Sequence, residues 1–170
     1  MSLGGAGHLD LLYHLVRTRR PEWVLETGVA SGWSSLAILL GMENNRTGTL
    51  VSIDRPDMQL PDDNRIGDAV PDRLRARWRV HLGVDRDRLP EALTRIPAGT
   101  LGLVHYDSDK SYYGRAWAYR LIWQHLKPGG LLVSDDIGDN EAFRDFALAV
   151  GRAPLVLLYD TAYVGVLEKR

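Results

Sequence analysis

From Trp23 to the end of the chain, short apolar runs alternate with amphipathic ones, which predicts alternating strands and helices. An apolar run at Val24 and Leu25 ends on Glu26, and further strands are expected at Thr49–Ile53, Trp78–Leu82, Leu101–Tyr106 and Leu131–Ser134. Helical spacing of Leu9, Leu12, Leu15 and Val16 predicts a leading helix over His8–Arg17. Further helices are expected at Ser31–Met42, Arg86–Arg95, Tyr112–Leu126 and Asn140–Val150, the third of these stopped by Lys127-Pro128-Gly129-Gly130. Two last strands, Leu155–Tyr159 and Tyr163–Leu167, flank Asp160-Thr161-Ala162, a link too short for a parallel crossover, so they form an antiparallel hairpin. The expected fold is α/β: a Rossmann-like three-layer sandwich around a mostly parallel seven-stranded sheet with a C-terminal antiparallel hairpin. No internal repeat or linker divides it, and one domain over residues 1–170 is expected. Met1–Gly7 read as a flexible lead or as residues left from cloning, and Arg55–Pro71 as a polar excursion long enough to be functional or mobile.

The most informative stretch is Val24-Leu25-Glu26-Thr27-Gly28-Val29-Ala30-Ser31-Gly32-Trp33-Ser34-Ser35. It reads as strand, turn and helix N-terminus, where open α/β sheets bind nucleotide-like ligands. Gly28 and Gly32 would let the backbone approach a ligand closely. A pyrophosphate at this turn would be repelled by Glu26, whereas ammonium and sulfonium charges would be attracted. The turn therefore points to S-adenosylmethionine rather than NAD. Asp54 ends the second strand, where its carboxylate can accept from two ribose hydroxyls, and Gly83-Val84-Asp85 lies where an adenine could stack. The cofactor-binding set expected on these grounds is Glu26, Gly28, Ser31, Gly32, Ser34, Asp54, Gly83 and Asp107.

Acidic residues crowd the ends of the fourth and fifth strands, as Asp107-Ser108-Asp109 and Asp135-Asp136. Neighbouring strands would bring these carboxylates together, and like charges in contact need a neutralising partner. Helix capping explains either group alone; the two together favour a divalent cation held by Asp107, Asp135 and Asp136. All-oxygen ligands suit Mg²⁺, Ca²⁺ or Mn²⁺ rather than Zn²⁺. With a methyl donor at the first strand and a cation at the fourth and fifth, a hydroxyl could be activated and set behind the methyl. Asp109 is the first candidate to take its proton, with His105 ranked behind it because a histidine within a strand is more often a core residue. Lys110 could instead lower the hydroxyl pKa. Trp33 and one of Tyr112 and Tyr113 are placed to wall the site.

Composition narrows the classes. Lys and Arg number 21 against 22 Asp and Glu, so no net basic field attracts a nucleic-acid backbone. With no cysteine, disulfides, thiolate metal sites and thiol catalysis are excluded. No apolar run is long enough to span a bilayer, and the start lacks a signal core, so a cytoplasmic protein without membrane partners is expected.

Together these residues resemble the class I S-adenosylmethionine-dependent methyltransferases, from about Trp23 to Lys169. Glu26-Thr27-Gly28-Val29-Ala30-Ser31-Gly32 is similar to that family's first motif, and Asp54 to its ribose-binding acid. Tyr106-Asp107-Ser108-Asp109-Lys110-Ser111-Tyr112, Leu126-Lys127-Pro128-Gly129-Gly130 and Asp135-Asp136 resemble a narrower branch, the metal-dependent macrocin O-methyltransferases and their cephalosporin-hydroxylase-like relatives. The resemblance implies Mg²⁺ binding by Asp107, Asp135 and Asp136, a base at Asp109, O-methylation of a sugar or small metabolite, and a homodimer. That branch usually carries extra N-terminal helices over its active site, and this sequence has only His8–Arg17 there. The competing readings are a metal-independent O- or N-methyltransferase, a non-catalytic binding domain of the same fold, and an NAD-dependent oxidoreductase, against which Glu26 argues.

Overall fold

The computed structural model describes residues 8–55 and 66–170. Expectations for Met1–Gly7 and for residues 56–65 of the polar excursion lie outside them. The elements are α1 (Leu9–Arg19), β1 (Trp23–Thr27), α2 (Trp33–Asn45), β2 (Thr49–Asp54), α3 (Asp72–Arg75), β3 (Trp78–Leu82) and α4 (Asp85–Thr94). They continue with β4 (Leu101–Tyr106), α5 (Tyr112–His125), β5 (Leu131–Ser134), a 3-10 turn at Ile137–Asp139, α6 (Ala142–Ala149), β6 (Leu155–Tyr159) and β7 (Ala162–Glu168). The seven strands form one sheet in the order β3-β2-β1-β4-β5-β7-β6, parallel from β3 to β5 and antiparallel through the final hairpin, as expected.

Strand side chains alternate between the two faces of the sheet, and both faces are covered. Leu25, Val51, Val104 and Leu132 pack under Leu89, Leu93, Tyr119, Ile122 and Phe143 of α4, α5 and α6. Their strand neighbours Val24, Leu50, Leu103 and Val133 pack against Leu12, Val16, Ile38 and Met42 of α1 and α2. The same alternation puts Glu26, Ser52 and His105 in one row on the α1–α2 face, since Glu26 pairs in register with Ser52 on one side and His105 on the other.

Helix limits differ from expectation where local geometry intervenes. Helix α2 starts at Trp33 because Gly32, at φ +88°, is its left-handed N-cap; it runs on to Asn45 and is closed by Arg46 at φ +59°. The last helix starts at Ala142 rather than Asn140, because the chain first makes the 3-10 turn and the Asn140 side chain then accepts from Ala142 N. The short α3 was not foreseen. Among the described residues, no helix is long and apolar enough to cross a membrane.

Leu25 is fully buried in the middle of the sheet, whereas Leu155 is 57% exposed on the outer strand. Leu25→Ala is expected to cost about 2–5 kcal/mol and Leu155→Ala less than about 0.5 kcal/mol, read as urea unfolding midpoints. Equal midpoints for the two variants would contradict this placement of the core.

Candidate active site

The carboxyl ends of the parallel strands are stitched together by backbone hydrogen bonds that continue past the strands. Gly28 N donates to Ile53 O, Asp107 N to Thr27 O, Asp135 N to Tyr106 O, and Gly83 N to Asp54 O, at 2.8–3.0 Å. This lattice fixes the turn after β1, the end of β2 and the acidic ends of β4 and β5 relative to one another.

Glu26 does not face outward. Its side chain has no exposed surface, and its oxygens accept from Ser34 Oγ (2.6 Å), Ser35 Oγ (2.5 Å) and Ser52 Oγ (2.7 Å). His105 Nδ1 stands 3.6 Å from Glu26 Oε1, an ion-pair distance beyond hydrogen-bond reach. Burial alone would raise the Glu26 pKa, but His105 and the hydroxyls outweigh it and hold the carboxyl below its usual range. Burial likewise opposes charge on His105, and Glu26 reverses the balance, leaving the imidazole above its usual value. The expected attraction of Glu26 for a ligand's positive charges is therefore corrected to an internal one, with Ser34 engaged in the same network. His105, 1% exposed, faces Glu26 and His8 rather than the surface.

The glycines also serve a different close approach from the one expected. Gly28, at φ +83°, faces the Asp107 carbonyl so tightly that a Cβ would collide with it. A Cβ on Gly32 would lie 2.7 Å from Gly67 Cα, because residues 67–70 lie over the turn, with Gly67 N donating to Ala30 O and Ala69 N to Ser31 O. At both positions the neighbour is protein backbone. Asp54 Oδ2 accepts from Val29 N and Ala30 N, and its Oδ1 accepts from Arg55 N. The acid thus shapes the turn and leaves acceptor capacity on Oδ1 for a ligand hydroxyl.

Asp107, Asp135 and Asp136 come together at the ends of β4 and β5, with one oxygen of each lying within 4.8 Å of the others. Asp107 Oδ1 is buried and accepts no hydrogen bond, although Lys110 Nζ approaches to 3.1 Å. Lys110 also pairs with Asp136. Burial would lower the Lys110 pKa, but the two carboxylates prevail and hold it raised. Asp135, 14% exposed on its side chain, is pushed up by burial, with Asp107 and Asp136 adding to the shift. Asp109 is separate from this group: its Oδ1 accepts from Ser111 N, and its carboxylate lies against Gly114 at the start of α5. Three carboxylate oxygens converging in this way fit a hard divalent cation.

Sequence reading missed two supports, Arg115 and Ser108. Arg115, 1% exposed, donates to the carbonyls of Asp136 (2.9 Å) and Asp135 (3.2 Å), and so holds the backbone of the acidic pair. It does this with Asp136 in the left-handed region at φ +47°, a conformation that collects at functional sites. Ser108 Oγ donates to Asp85 Oδ2 (2.5 Å) and lies 2.9 Å from Thr27 Oγ1, bridging β1, β4 and α4. Asp85, beside the proposed adenine position at Gly83, has its pKa raised chiefly by burial. Neither Arg115 nor Ser108 carried a sequence signal for its role, whereas Lys110 and Asp85 were already candidates. Trp33 is half exposed beside the turn, Tyr113 is 80% exposed, and Tyr112 Oη donates to Asp145.

A family model described as a methyltransferase domain matches residues 25–137, more than half of the chain and the whole span from β1 to the acidic pair. The chain belongs to the class I S-adenosylmethionine-dependent methyltransferases. The methyltransferase also shares its fold with solved structures. The O-methyltransferase from Bacillus cereus in complex with SAH is 15% identical, with a TM-score of 0.74, covering 99% of this chain and 84% of that one. The O-methyltransferase TomG from Streptomyces achromogenes, involved in tomaymycin synthesis and solved with SAM, is 20% identical, with a TM-score of 0.73 and coverage of 98% and 82%. The SAH-bound methyltransferase PaMTH1 from Podospora anserina is 17% identical, with a TM-score of 0.67 and coverage of 95% and 78%. At these identities the likeness is one of fold. No curated protein sequence matches the methyltransferase.

The Glu26–His105 pair gives a pH signature. A lowered carboxylate pKa stabilises the fold above about pH 4.5 and is lost in acid; a raised imidazole pKa stabilises it below about pH 6.5 and is lost as His105 deprotonates. Glu26→Gln is therefore expected to destabilise most between these values, by about 3–5 kcal/mol, with the deficit shrinking as pH rises past the His105 transition. Denaturant unfolding of both proteins from acid to alkaline pH measures it, and a pH-independent deficit would rule out the charged pair.

Proposed function

We propose that this methyltransferase moves a methyl group from S-adenosylmethionine to a hydroxyl oxygen of a sugar or small metabolite, with Mg²⁺ or a similar cation at Asp107, Asp135 and Asp136. The observation that carries the reading is the convergence of those three carboxylates beside the turn after β1 and the free acceptor capacity of Asp54. Fold relatives named as O-methyltransferases, with SAH or SAM bound, support the choice of oxygen and of cofactor.

S-adenosylmethionine supplies an activated methyl, and a cation at the carboxylates supplies positive charge that acidifies and orients a hydroxyl. The protein's own part is positioning and charge. Asp54 and the Gly28–Gly32 turn hold the nucleoside end of the cofactor, while Asp107, Asp135 and Asp136 fix the acceptor end. Arg115 keeps the acidic pair in place. Lys110, the cationic side chain paired with the acids, stabilises the negative charge that develops on the acceptor oxygen. Asp109 lies at the rim, where it can take up a released proton after the carboxylate leaves Ser111 N.

A metal-independent reading has one observation in its favour: the Lys110 ammonium already neutralises Asp107 and Asp136. The working unit is taken as a homodimer. Support comes from β6, the outermost strand, whose Leu155, Val156 and Leu158 are exposed where edge strands usually carry charge. Antiparallel pairing of β6 with a second copy would bring Arg152 of one chain toward Asp160 of the other, and neither makes an ion pair among the described residues.

Calorimetric titration with S-adenosylhomocysteine, in Mg²⁺ and in EDTA, tests the cofactor and the cation separately. Asp54→Ala should weaken binding of S-adenosylhomocysteine by about tenfold or more, whereas Asp136→Asn should leave it nearly intact and abolish Mg²⁺-dependent turnover. Full activity of Asp136→Asn in EDTA would defeat the cation reading in favour of the metal-independent one. Lys110→Met should lower turnover by about 10²–10³-fold with cofactor affinity unchanged, and normal turnover would remove Lys110 from the reaction.

A further inference from the structure

The first described residue, His8, lies far from the acidic motifs in sequence yet reaches the acidic cluster. It precedes α1, its carbonyl accepts from Leu12 N, and its side chain is 3% exposed. Its ring is enclosed by His105, at a centroid distance of 5.2 Å, and by Tyr159, at 5.9 Å. Its two nitrogens face different partners. Nε2 lies 3.1 Å from His105 Nε2, and Nδ1 lies 3.7 Å from Asp135 Oδ1.

That geometry dictates where the protons sit. Two imidazole nitrogens 3.1 Å apart hold one proton between them. His105, already facing the Glu26 carboxylate through Nδ1, is the ring that can carry protons on both nitrogens, so His105 Nε2–H donates and His8 Nε2 accepts. His8 then carries its proton on Nδ1, the nitrogen aimed at Asp135. The opposite tautomer would set a bare nitrogen lone pair against a carboxylate. A polar chain results, running from Ser34, Ser35 and Ser52 through Glu26, His105 and His8 to Asp135, its Glu26–His105 and His8–Asp135 links at ion-pair rather than hydrogen-bond distance.

We propose that His8 is a positioning residue for the cation site: its Nδ1–H orients the Asp135 carboxylate, and its Nε2 anchors that orientation to His105 and Glu26 on the cofactor strand. The inference rests on the cation reading above. His8 is not a ligand here, because the nitrogen facing the cluster carries a proton; at 3.7 Å from Asp135 Oδ1 it acts on the ligating carboxylate from the outer shell by electrostatic attraction, beyond hydrogen-bond reach. The leading helix α1 is thereby part of the site and not only a cover for the sheet.

The two nitrogens can be separated by substitution, because an asparagine amide overlays the Nδ1 side of a histidine and a glutamine amide the Nε2 side. Titrating Mg²⁺ alone into the intact protein by calorimetry, His8→Ala and His8→Gln should weaken Mg²⁺ binding about 10–100-fold, whereas His8→Asn should stay within about threefold of the parent. Binding of S-adenosylhomocysteine and the thermal unfolding midpoint are measured on each variant. They should be alike for His8→Asn and His8→Gln, so a purely structural role would weaken Mg²⁺ binding equally in both. Equal Mg²⁺ affinity in all variants, or equal loss in Asn and Gln, overturns the positioning role. If the parent protein itself binds no Mg²⁺, the cation reading fails, and the role assigned to His8 falls with it.

Discussion

A carboxylate without exposed surface lies in the middle of the sheet, and the geometry of the site depends on how its charge is met. Glu26 belongs to a central strand flanked by β2 and β4, so solvent cannot reach it and an isolated charge there would be prohibitive. Three serine hydroxyls and one imidazole meet it, drawn from α2, β2 and β4. Trp78 of the outer strand β3 joins through its indole N–H, which donates to Ser52 Oγ at 2.8 Å. One side chain thus sets the start of α2, the depth of β2 and β4, and the seat of β3. The turn after β1 and the acidic strand ends inherit that arrangement through the backbone hydrogen bonds that extend the sheet.

The acids at the strand ends pose the opposite problem, a cluster of like charges that is partly wet. Two cations answer it in different ways. Lys110 supplies a point charge against the carboxylates themselves. Arg115 leaves the carboxylates alone and binds the carbonyls behind them, a use suited to a planar guanidinium with several fixed donors. Backbone and side chain of the acidic pair are therefore held by separate groups. The carboxylates stay available while their main chain is kept in an uncommon conformation.

Much of the fold was legible because its signals are local. Alternating apolar runs marked the strands, and the three-residue link after Tyr159 forced the antiparallel hairpin. The meeting of Asp107 with Asp135 and Asp136 followed from the adjacency of β4 and β5, an expectation of topology alone. What failed to show was anything set by register or by packing from a distance. Glu26 sits opposite Ser52 and His105 only because parallel strands align in one particular offset, which no local spacing encodes. Gly28 and Gly32 were legible as sites of close approach, but not that the approaching partner is the chain's own backbone. Nothing near Leu9 announces that the preceding histidine meets Asp135.

That last contact bears on how the protein comes to be functional during folding. The pairing of His8 with His105 joins residues 97 apart in sequence, and the parallel pairings of β1 with β4 likewise close long loops. Contacts of such separation form late, after the entropy of bringing distant segments together has been overcome. No fragment ending before β5 contains the whole polar chain, so a partly synthesised or partly folded molecule has helices and strands but no assembled cluster. A small molecule bound at these strand ends therefore selects the completed fold over every intermediate, and couples the supply of ligand to the lifetime of the protein.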